Sequence, residues 1–326
     1  MDATGAALID DLRGAGIVVA DDAAVEPLTG GVSCDVWKVE TASGPLVVKR
    51  PLEQLRVAAD WHAPVERGAS EVRWLQRAQS VDPRMAPEVV AELPGYGFAM
   101  RFVPHAPVWK DELVAGRVDP TFAAAVGARI VAVHAATADS PADRDAFATD
   151  AMFRALRIDP FLLYVAQRDK AVAEPLYTLA DELACSKRAL VHGDVSPKNI
   201  LVAPAGPLFL DAECAVYGDP AFDLAFCTTH LLLKLVWLDD GRLRDAAAAL
   251  VTAYSNGIDW EDADALMLRA GQIAAALLLA RVEGKSPAPY LTDPDHKCIV
   301  AEQARALLLS PAPLGALVTE WKRTIS

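Results

Sequence analysis

A short polar stretch between two apolar runs carries most of the groups in this sequence that could do chemistry. Residues 192–199 read HGDVSPKN, and the runs on either side are typical of short strands, which would hold the loop on a rigid base. A third apolar run follows and ends directly before Asp211, with Glu213 two positions later. Carboxylates and a carboxamide that converge from two strand ends are suitable ligands for a Mg²⁺ ion bound to phosphates. In this arrangement Asp194 could orient or deprotonate an attacking hydroxyl group.

A second polar stretch lies upstream, where the sequence reads LTGGVSCDVWKV. Gly30, Gly31 and Ser33 fall in a predicted hairpin turn, in which the glycines would allow backbone N–H groups to approach phosphate oxygens. Two glycines alone are weak evidence, because many hairpins carry such a pair. The next predicted strand ends in Lys49, which is either a surface lysine at a strand end or a group that pairs with phosphates.

The elements that must position these groups fall into two regions of different character. Up to about residue 102, apolar alternation and turn signals predict a helix and then a strand-rich region, with helices at 4–16 and 70–78, a hairpin at 36–49 and a strand pair at 89–103. After Pro104 the predicted helices are rich in Ala and Leu, at 123–136, 161–165, 173–185, 243–255, 263–280 and 296–309. We therefore predict an α+β fold whose two parts are residues 1–103 and 104–326.

Composition and charge argue against several classes of function. The chain has 326 residues, of which 53% are hydrophobic and 23% charged, as is typical of a folded globular protein. Its net charge of −13 argues against a general nucleic-acid binder, which needs a basic surface. An acidic surface could instead attract cationic substrates or simply maintain solubility. The five cysteines are scattered without a CxxC pair, which indicates reduced thiols and neither a disulfide framework nor a zinc site.

The sequence predicts neither a secretory signal nor a membrane span. The first sixteen residues are acidic and amphipathic, unlike a signal sequence. The most apolar stretch, residues 273–280, is too short to cross a bilayer. We therefore expect a cytoplasmic protein with no membrane and no nucleic-acid partner, present as a monomer or a homodimer.

The order of these motifs resembles the aminoglycoside phosphotransferase/choline kinase superfamily, which has a protein-kinase-like fold. The residues that carry the resemblance are HGDxxxxN at 192–199, DxE at 211–213 and GDPxxDLA at 218–225. The resemblance implies a small N-terminal antiparallel β-sheet lobe and a larger, mainly helical C-terminal lobe, with ATP and Mg²⁺ in the cleft between them. It also implies transfer of the γ-phosphoryl group of ATP to a hydroxyl group of a sugar, amino sugar or aminoglycoside-like acceptor.

Carried onto this sequence residue by residue, the resemblance assigns roles in the catalytic loop. It makes Asp194 the catalytic base, and it makes Asn199 and Asp211 metal ligands. His192 becomes a residue that shapes the loop, not a nucleophile. Asp223 becomes a structural support of the loop, although as a residue near a helix N-terminus it could also serve as a cap.

On the nucleotide side, the resemblance places Lys49 against phosphates and gives it an acidic partner on the following helix. Glu71 is a better partner than Glu66, because the apolar residue one turn after Glu71 gives that helix its packing face. The adenine is expected to bond to the main chain of the connector that contains Met100 and Phe102. Met100 also fits a packing role in the core.

Three residues are candidate contacts of the acceptor. Glu213 is alternatively a second metal ligand or a salt-bridge residue. His230 either faces the acceptor or packs in the core. A loose resemblance to the methylthioribose kinase branch makes Arg281 a contact of a hydroxylated substrate, whereas its place near a helix end also fits an interaction with the helix dipole.

Two other classes of protein share this fold. A catalytically inactive pseudokinase, acting as a nucleotide-sensing or scaffolding module, would keep the fold, but every expected catalytic position is filled here. A protein kinase is disfavoured, because DAECAVYGDPAFDLA runs directly into a predicted helix without an activation segment ending in APE.

Overall fold

The computed structural model describes residues 3–28, 33–54, 56 and 62–322, and it divides into two compact units. The first unit is Met1–Ala106 with Leu208–Glu213, and the second is Pro107–Pro207 with Cys214–Ser326. An antiparallel sheet forms the body of the first unit, and helices form most of the second. The predicted α+β class is therefore confirmed.

The sheet of the first unit has five antiparallel strands. They are β1 (Val25–Pro27), β2 (Cys34–Val39), β3 (Leu46–Pro51), β4 (Val89–Leu93) and β5 (Gly97–Arg101). Their order across the sheet is β1-β2-β3-β5-β4. The register places Lys49 of β3 opposite Val36 of β2 on one side and opposite Phe98 of β5 on the other. Lys49 therefore extends from an inner strand, whose backbone is paired on both sides.

Two helices complete the first unit, α1 (Ala3–Gly14) and α2 (Arg67–Val81). Leu8 and Leu12 lie one turn apart on α1 and pack into a buried core with Val48 and Ala99 of the sheet. The helix predicted over 70–78 is longer at both ends, because α2 begins at Arg67 and continues to Val81.

Eleven α-helices of the second unit lie within the described residues. They are α3 (Trp109–Val114), α4 (Pro120–Thr137), α5 (Pro141–Ala146), α6 (Asp150–Phe153), α7 (Tyr164–Ala166), α8 (Ala173–Cys185), α9 (Ala221–Leu238), α10 (Arg242–Ser255), α11 (Ala263–Glu283), α12 (Pro294–Leu309) and α13 (Leu314–Glu320). Four short strands accompany them: β6 (Ala189–Val191), β7 (Ile200–Ala203), β8 (Gly206–Phe209) and β9 (Val216–Gly218). β6 pairs with β9 in an antiparallel sheet, and β8 begins in the second unit and ends in the first.

Close helix packing builds the core of the second unit. Helices α4 and α10 approach each other at Gly127, where an added Cβ atom would lie 2.2 Å from the carbonyl oxygen of Leu250. A side chain at this position would force the two helices apart, so glycine permits the contact. Helices α9 and α11 also pack together, and their central leucines are fully buried.

α9 and α11 are long and apolar enough to cross a membrane by length and composition alone. Their most apolar 18-residue windows are 89% and 72% buried inside the protein, as expected of core helices. The predicted helix 263–280 continues to Glu283, so the apolar stretch 273–280 belongs to a 21-residue helix. Burial inside the fold accounts for the hydropathy of both.

The connection between α6 and α7 is a π-helix over Arg154–Leu163, whereas the sequence predicted a helix only over 161–165. Pro160 lies inside this segment and has no N–H group for a regular helical hydrogen bond. The wider π turn accommodates that missing donor. The segment also brings the Arg157 side chain, which is only 9% exposed, into the interior of the second unit.

Candidate functional site

Lys49 lies between two carboxylates of the first unit. Its ammonium donates to both oxygens of Glu71, at 2.8 and 2.7 Å, and to Oδ1 of Asp211 at 2.8 Å. Lys49 is 5% exposed and Glu71 is completely buried. β3 and α2 thus hold a buried cation whose second partner, Asp211, lies within the segment Leu208–Glu213 and is partly exposed.

The charged groups of this cluster shift one another's pKa values. Burial alone would lower the pKa of Lys49, but the carboxylates of Asp211 and Glu71 outweigh that effect and raise the pKa well above its usual range. Burial raises the pKa of Glu71 to about 7, with Lys49 opposing the increase and Asp211 adding to it. Lys49 therefore stays charged, and its charge favours the ionised form of Glu71.

Asp211 has an uncommon backbone conformation. Its φ angle of 68° lies in the left-handed region, which residues other than glycine rarely adopt. Its N–H group donates to Oε1 of Glu71 at 3.0 Å, and this bond holds the backbone in place. Such strain is often found at functional positions, where it directs a side chain. The Asp211 side chain, 26% exposed, is the most accessible carboxylate of the cluster.

Glu213 forms an ion pair with a buried arginine. Its Oε2 accepts from Nε of Arg67 at 3.0 Å, and its Oε1 accepts from Ser33 Oγ at 2.9 Å and from Cys34 Sγ at 2.8 Å. Arg67 is completely buried and also donates to the carbonyl of Ser33. Of the alternatives for Glu213, the structure contains the salt bridge. The predicted phosphate contacts Gly30 and Gly31 lie outside the described residues.

The acidic groups of the first unit offer the chemistry of a metal site. One oxygen from each of Glu71, Asp211 and Glu213 lies within 4.8 Å of the other two. Each of the three carboxylates already contacts a cation, Glu71 and Asp211 through Lys49 and Glu213 through Arg67, and Asp211 is the most exposed of them. Carboxylate oxygens are the ligands that Mg²⁺ prefers, so the donor set fits that ion.

The two residues predicted near the adenine differ in exposure. Met100 of β5 is 5% exposed and lies opposite Val47 of β3, which fits its alternative role in the core. Phe102 is partly buried, its N–H group donates to the carbonyl of Pro45, and its ring centroid lies 5.1 Å from the ammonium of Lys38.

In the second unit, Asp194 lies between two cations. Its Oδ2 is 3.2 Å from Nη2 of Arg157 and 3.1 Å from Nζ of Lys198. The side chain is 11% exposed. Asn199 donates from Nδ2 to the carbonyl of Asp194 at 3.0 Å, so its Oδ1 is the atom available as a ligand. The loop thus holds one carboxylate and one carboxamide in a defined orientation.

Asp223, in the first turn of α9, holds the backbone that precedes Asp194. Its carboxylate accepts from the N–H groups of His192 at 2.7 Å and Gly193 at 2.8 Å. Nε2 of His134 lies 3.2 Å from the same carboxylate, which is 1% exposed. These hydrogen bonds join the first turn of α9 to the backbone of residues 192–193. The N–H group of Asp194 in turn lies 3.2 Å from Nδ1 of His192.

Gly193 occupies a position where the backbone conformation and the close packing both favour glycine. Its φ angle is 79°, and an added Cβ atom would lie 2.5 Å from the carbonyl oxygen of Cys214. We expect Gly193→Ala to destabilise the protein by about 2 kcal/mol, from the left-handed backbone and the clash together, and to lower turnover because Asp194 is the next residue. Urea unfolding and kcat measure the two effects.

Gly116→Ala is the matched control for that substitution. Gly116 has a similar φ angle of 74°, but its added Cβ atom would meet nothing closer than 3.8 Å. Only the backbone cost should appear there, about 1 kcal/mol. Equal losses of stability in the two variants would contradict the clash at Gly193.

The remaining predicted contacts lie elsewhere in the second unit. His230 on α9 is 7% exposed, and its ring centroid lies 5.1 Å from that of Phe226. Arg281 on α11 donates to the carbonyl and the hydroxyl of Ser286 and lies 5.8 Å from the Phe161 ring centroid. Both side chains therefore contact aromatic rings inside the unit.

Sequence reasoning missed three buried cations: Arg67, Arg157 and Lys234. Arg67 and Arg157 resemble ordinary helix charges, because their partners Glu213 and Asp194 are distant in sequence. Lys234 had a usable signal, since it interrupts the apolar run LLLKLV inside a helix. It is 2% exposed.

The fold is that of known small-molecule kinases. A structure of amicoumacin kinase in complex with AMP-PNP, Ca²⁺ and Ami has a TM-score of 0.62 and 12% identity, covering 99% of this chain and 96% of that chain. A choline kinase from Streptococcus pneumoniae has a TM-score of 0.51 and 15% identity, covering 95% of this chain and 100% of that one. The predicted kinase-like fold is confirmed by these structures, which at such identities show the fold alone.

The sequence matches the phosphotransferase enzyme family over residues 24–266. Because the match includes most of the chain, the protein belongs to this family, and the family that its motifs resemble is confirmed. Methylthioribose kinases from Yersinia pseudotuberculosis and Yersinia pestis are 26% identical over 245 residues, which cover 65% of this chain. The chain spans about 60% of the length of these curated relatives.

Proposed function

We propose that this protein is an ATP-dependent kinase that phosphorylates a hydroxyl group of a small molecule. The observation that carries the proposal is the buried Lys49 bonded to Glu71 and Asp211 in a chain of this family. In kinases, a lysine and glutamate ion pair together with a metal-binding aspartate organises the nucleotide phosphates. The three groups in this protein match those roles in type and contact.

In the proposed reaction, the oxygen of the acceptor hydroxyl attacks the γ-phosphorus of ATP. A new O–P bond forms, and the bond from the γ-phosphorus to the β,γ-bridging oxygen breaks. ADP leaves with that electron pair, and the carboxylate of Asp194 takes the hydroxyl proton. Arg157 and Lys198 would hold Asp194 in position through the contacts that they make with its Oδ2.

On the nucleotide side, Lys49 would pair with phosphates while Glu71 keeps it in place. Asp211 and Oδ1 of Asn199 would be the ligands of Mg²⁺, which when bound neutralises phosphate charge. Gly30, Gly31 and Ser33 would approach the phosphates, and the main chain near Met100 and Phe102 would bind the adenine. Glu213 would act through its ion pair with Arg67, which orders the backbone at Ser33.

The acceptor that we propose from the sequence is a sugar, an amino sugar or an aminoglycoside-like molecule, with His230 and Arg281 as its contacts. We also propose that the enzyme acts in the cytoplasm, as a monomer or a homodimer, without a nucleic-acid or membrane partner. The similarity to methylthioribose kinases supports a hydroxylated acceptor in general.

Turnover of ATP with Mg²⁺ across a panel of sugars, amino sugars and aminoglycosides tests the proposal. We expect ADP release that depends on the acceptor and exceeds the rate without acceptor. No turnover together with no ATP-induced rise in Tm would contradict the proposal. A rise in Tm with ATP but no turnover would favour the pseudokinase alternative.

Lys49→Met should lower kcat/KM for ATP by about 100- to 1000-fold, because it removes a preorganised cation from the phosphates. Steady-state kinetics measures this change. The substitution also leaves two carboxylates near each other without their shared cation, so Tm should fall. Lys187→Met, at a more exposed lysine that pairs with Asp150, is the control and should leave both quantities unchanged.

The double variant Lys49→Met/Glu71→Gln separates the two effects. It removes the buried carboxylate that the single variant leaves unpaired, so Tm should recover while kcat/KM stays low. Recovery of activity together with Tm would show that Lys49 acts only through stability, which contradicts its phosphate role.

A further inference from the structure

A cluster of basic side chains lies inside the second unit. His230 and Lys234 are one helical turn apart on α9, and Arg281 belongs to α11, which packs against α9. Lys234 is 2% exposed, and its ammonium lies 4.8 Å above the ring centroid of Tyr290. Within the part of the chain that the structure describes, no carboxylate lies at salt-bridge distance from Lys234. The lysine is therefore buried without a countercharge.

Two further donors of this cluster also lack a partner. Nε of Arg281 and the hydroxyl of Tyr290 are buried, and neither has a hydrogen-bond partner among the described residues. Buried polar groups without partners are costly, and buried cations more so. Within the described ranges, Nε of Arg281 and the hydroxyl of Tyr290 are two buried donors without a partner, and the ammonium of Lys234 lies over the Tyr290 ring without a countercharge. Together these three groups indicate that a ligand group completes them.

The cluster is connected to Asp194 through aromatic contacts. The guanidinium groups of Arg157 and Arg281 lie 5.9 and 5.8 Å from the ring centroid of Phe161. Arg157 also contacts Asp194 directly, with Nη2 3.2 Å from Oδ2. Phe161 thus lies beside both arginines, and Arg281 is the second cation from the proposed base.

The pKa shifts of Lys234 and Arg281 also reflect their proximity to each other and that of Arg281 to Asp194. Burial lowers the pKa of Lys234 to about 7, and the neighbouring Arg281 lowers it further while the thiol of Cys227 opposes the decrease. Burial also lowers the pKa of Arg281, which Tyr290 and Asp194 oppose. The net charge of the chain is −13. Its composition alone would therefore not predict a group of basic side chains in the interior.

We propose that Lys234, Arg281 and Tyr290 bind an anionic oxygen group, a carboxylate or a phosphate, on the acceptor whose hydroxyl reacts at Asp194. An oxyanion accepts several charge-assisted hydrogen bonds at once, so it satisfies all three donors. The proposal rests on the proposed kinase function for the identity of the ligand as the acceptor. Among hydroxylated acceptors it favours acids or phosphate esters, and it disfavours the amino sugars and aminoglycosides that the sequence resemblance also allows.

The spacing on α9 indicates how far the anionic group lies from the reacting hydroxyl. Phe226, which contacts Arg157, and Lys234 are about 12 Å apart along the helix axis at 1.5 Å per residue. An acceptor that reaches both ends must carry its anionic group several bonds from its reactive hydroxyl. An amine or an aminoglycoside would instead bring a cation against Lys234 and Arg281, and like charges disfavour it.

Calorimetric titration of the full chain with four six-carbon probes tests this proposal. The probes are gluconate, glucose 6-phosphate, glucose and glucosamine, which offer a carboxylate, a phosphate, no charge and a cation. We expect at least one anionic probe to bind at least tenfold more tightly than glucose and glucosamine. The two anions, compared with each other, distinguish carboxylate from phosphate recognition.

Lys234→Met localises the binding. This variant should lose the preference for the anionic probe, whereas Arg117→Met, at an exposed arginine that pairs with Glu112, should retain it. Arg281→Gln is a second variant with the same expected loss, and it keeps the test decisive if Lys234→Met does not fold. A preference that survives both substitutions, or glucose or glucosamine binding as tightly as the anions, would overturn the proposal.

Turnover of the same probes distinguishes this proposal from the kinase function. Anion binding that depends on Lys234, with no phosphorylation of any probe or of the wider acceptor panel, supports the anion site and contradicts the kinase function. Phosphorylation of glucosamine or glucose in preference to both anions contradicts the anion site and supports the kinase function.

Discussion

Asp194→Asn should lower kcat by about a thousandfold while leaving the KM for ATP within a factor of two, because general-base catalysis contributes roughly 10²- to 10⁴-fold. Asparagine keeps the size of the side chain and its hydrogen-bonding oxygen but does not take up the hydroxyl proton. Neutralising Asp194 strands no fully buried charge, since Lys198 is 48% exposed and Arg157 keeps its bonds to the carbonyls of Gly193 and Leu156. Steady-state kinetics with the best acceptor measures the loss.

The alternative role of Asp194, that of a structural ion-pair residue, makes the opposite prediction. If it only holds Arg157 and Lys198, the substitution should lower the free energy of unfolding and leave kcat per folded molecule unchanged. Urea unfolding of the same preparation separates the two roles. Asp181→Asn, on the exposed face of α8, is the control and should change neither quantity.

Much of the fold is readable from local patterns. The hairpin of β2 and β3 and the pair of β4 and β5 follow from alternating apolar residues around turn signals, and the structure has them within a few residues of the predicted ranges. The helix predicted over 173–185 coincides with α8. These elements are specified by neighbours in sequence, which is why a single sequence predicts them.

The π-helix over Arg154–Leu163 shows where local reading fails. A proline inside a helical pattern normally predicts an end or a kink, so the sequence favoured only the short helix 161–165. The chain instead continues through Pro160 in a wider turn, and its buried face packs against α8 and α11. Tertiary packing overrides the local rule here, and that packing is not visible in the sequence.

The residues of the candidate site also fall into two groups, those that a local motif predicts and those whose partners are distant in sequence. Asp194, Asn199 and Asp211 lie in one compact motif, so residue types and spacing sufficed to select them. The partner of Glu213 could not be selected, because Arg67 is 146 positions earlier in the chain and reads as an ordinary helix charge. The basic cluster is harder still, since Lys234 and Arg281 belong to separate helices and only buried groups without a countercharge or partner among the described residues distinguish them.

Asp223 depends on both local sequence and long-range contacts. It belongs to a sequence motif, but its role depends on a contact with residues distant in the chain. The motif GDPxxDLA places it near the start of α9, where capping alone would explain it. Its carboxylate instead accepts the N–H groups of His192 and Gly193, about 30 positions earlier in the chain. The backbone that precedes Asp194 therefore depends on a helix that follows it in the chain.

A matched control for Asp223 exists in the same unit. Asp245 also lies in the first turn of its helix, α10, but it is exposed. Asp245→Asn should change the free energy of unfolding by less than about 0.5 kcal/mol, as is usual for surface substitutions. A comparable loss at both positions would mean that helix capping, and not support of the loop, explains Asp223.

Asp223→Ala should lower the free energy of unfolding by about 3–5 kcal/mol, because it leaves two buried N–H groups and the His134 ring without their acceptor. Urea unfolding measures the loss, and native-state hydrogen exchange should show that the amides of His192 and Gly193 lose protection first. Turnover per folded molecule should fall as well, because the backbone that orients Asp194 is released. Retained protection of both amides would contradict the supporting role, since a residue that merely caps α9 would destabilise that helix without freeing the loop.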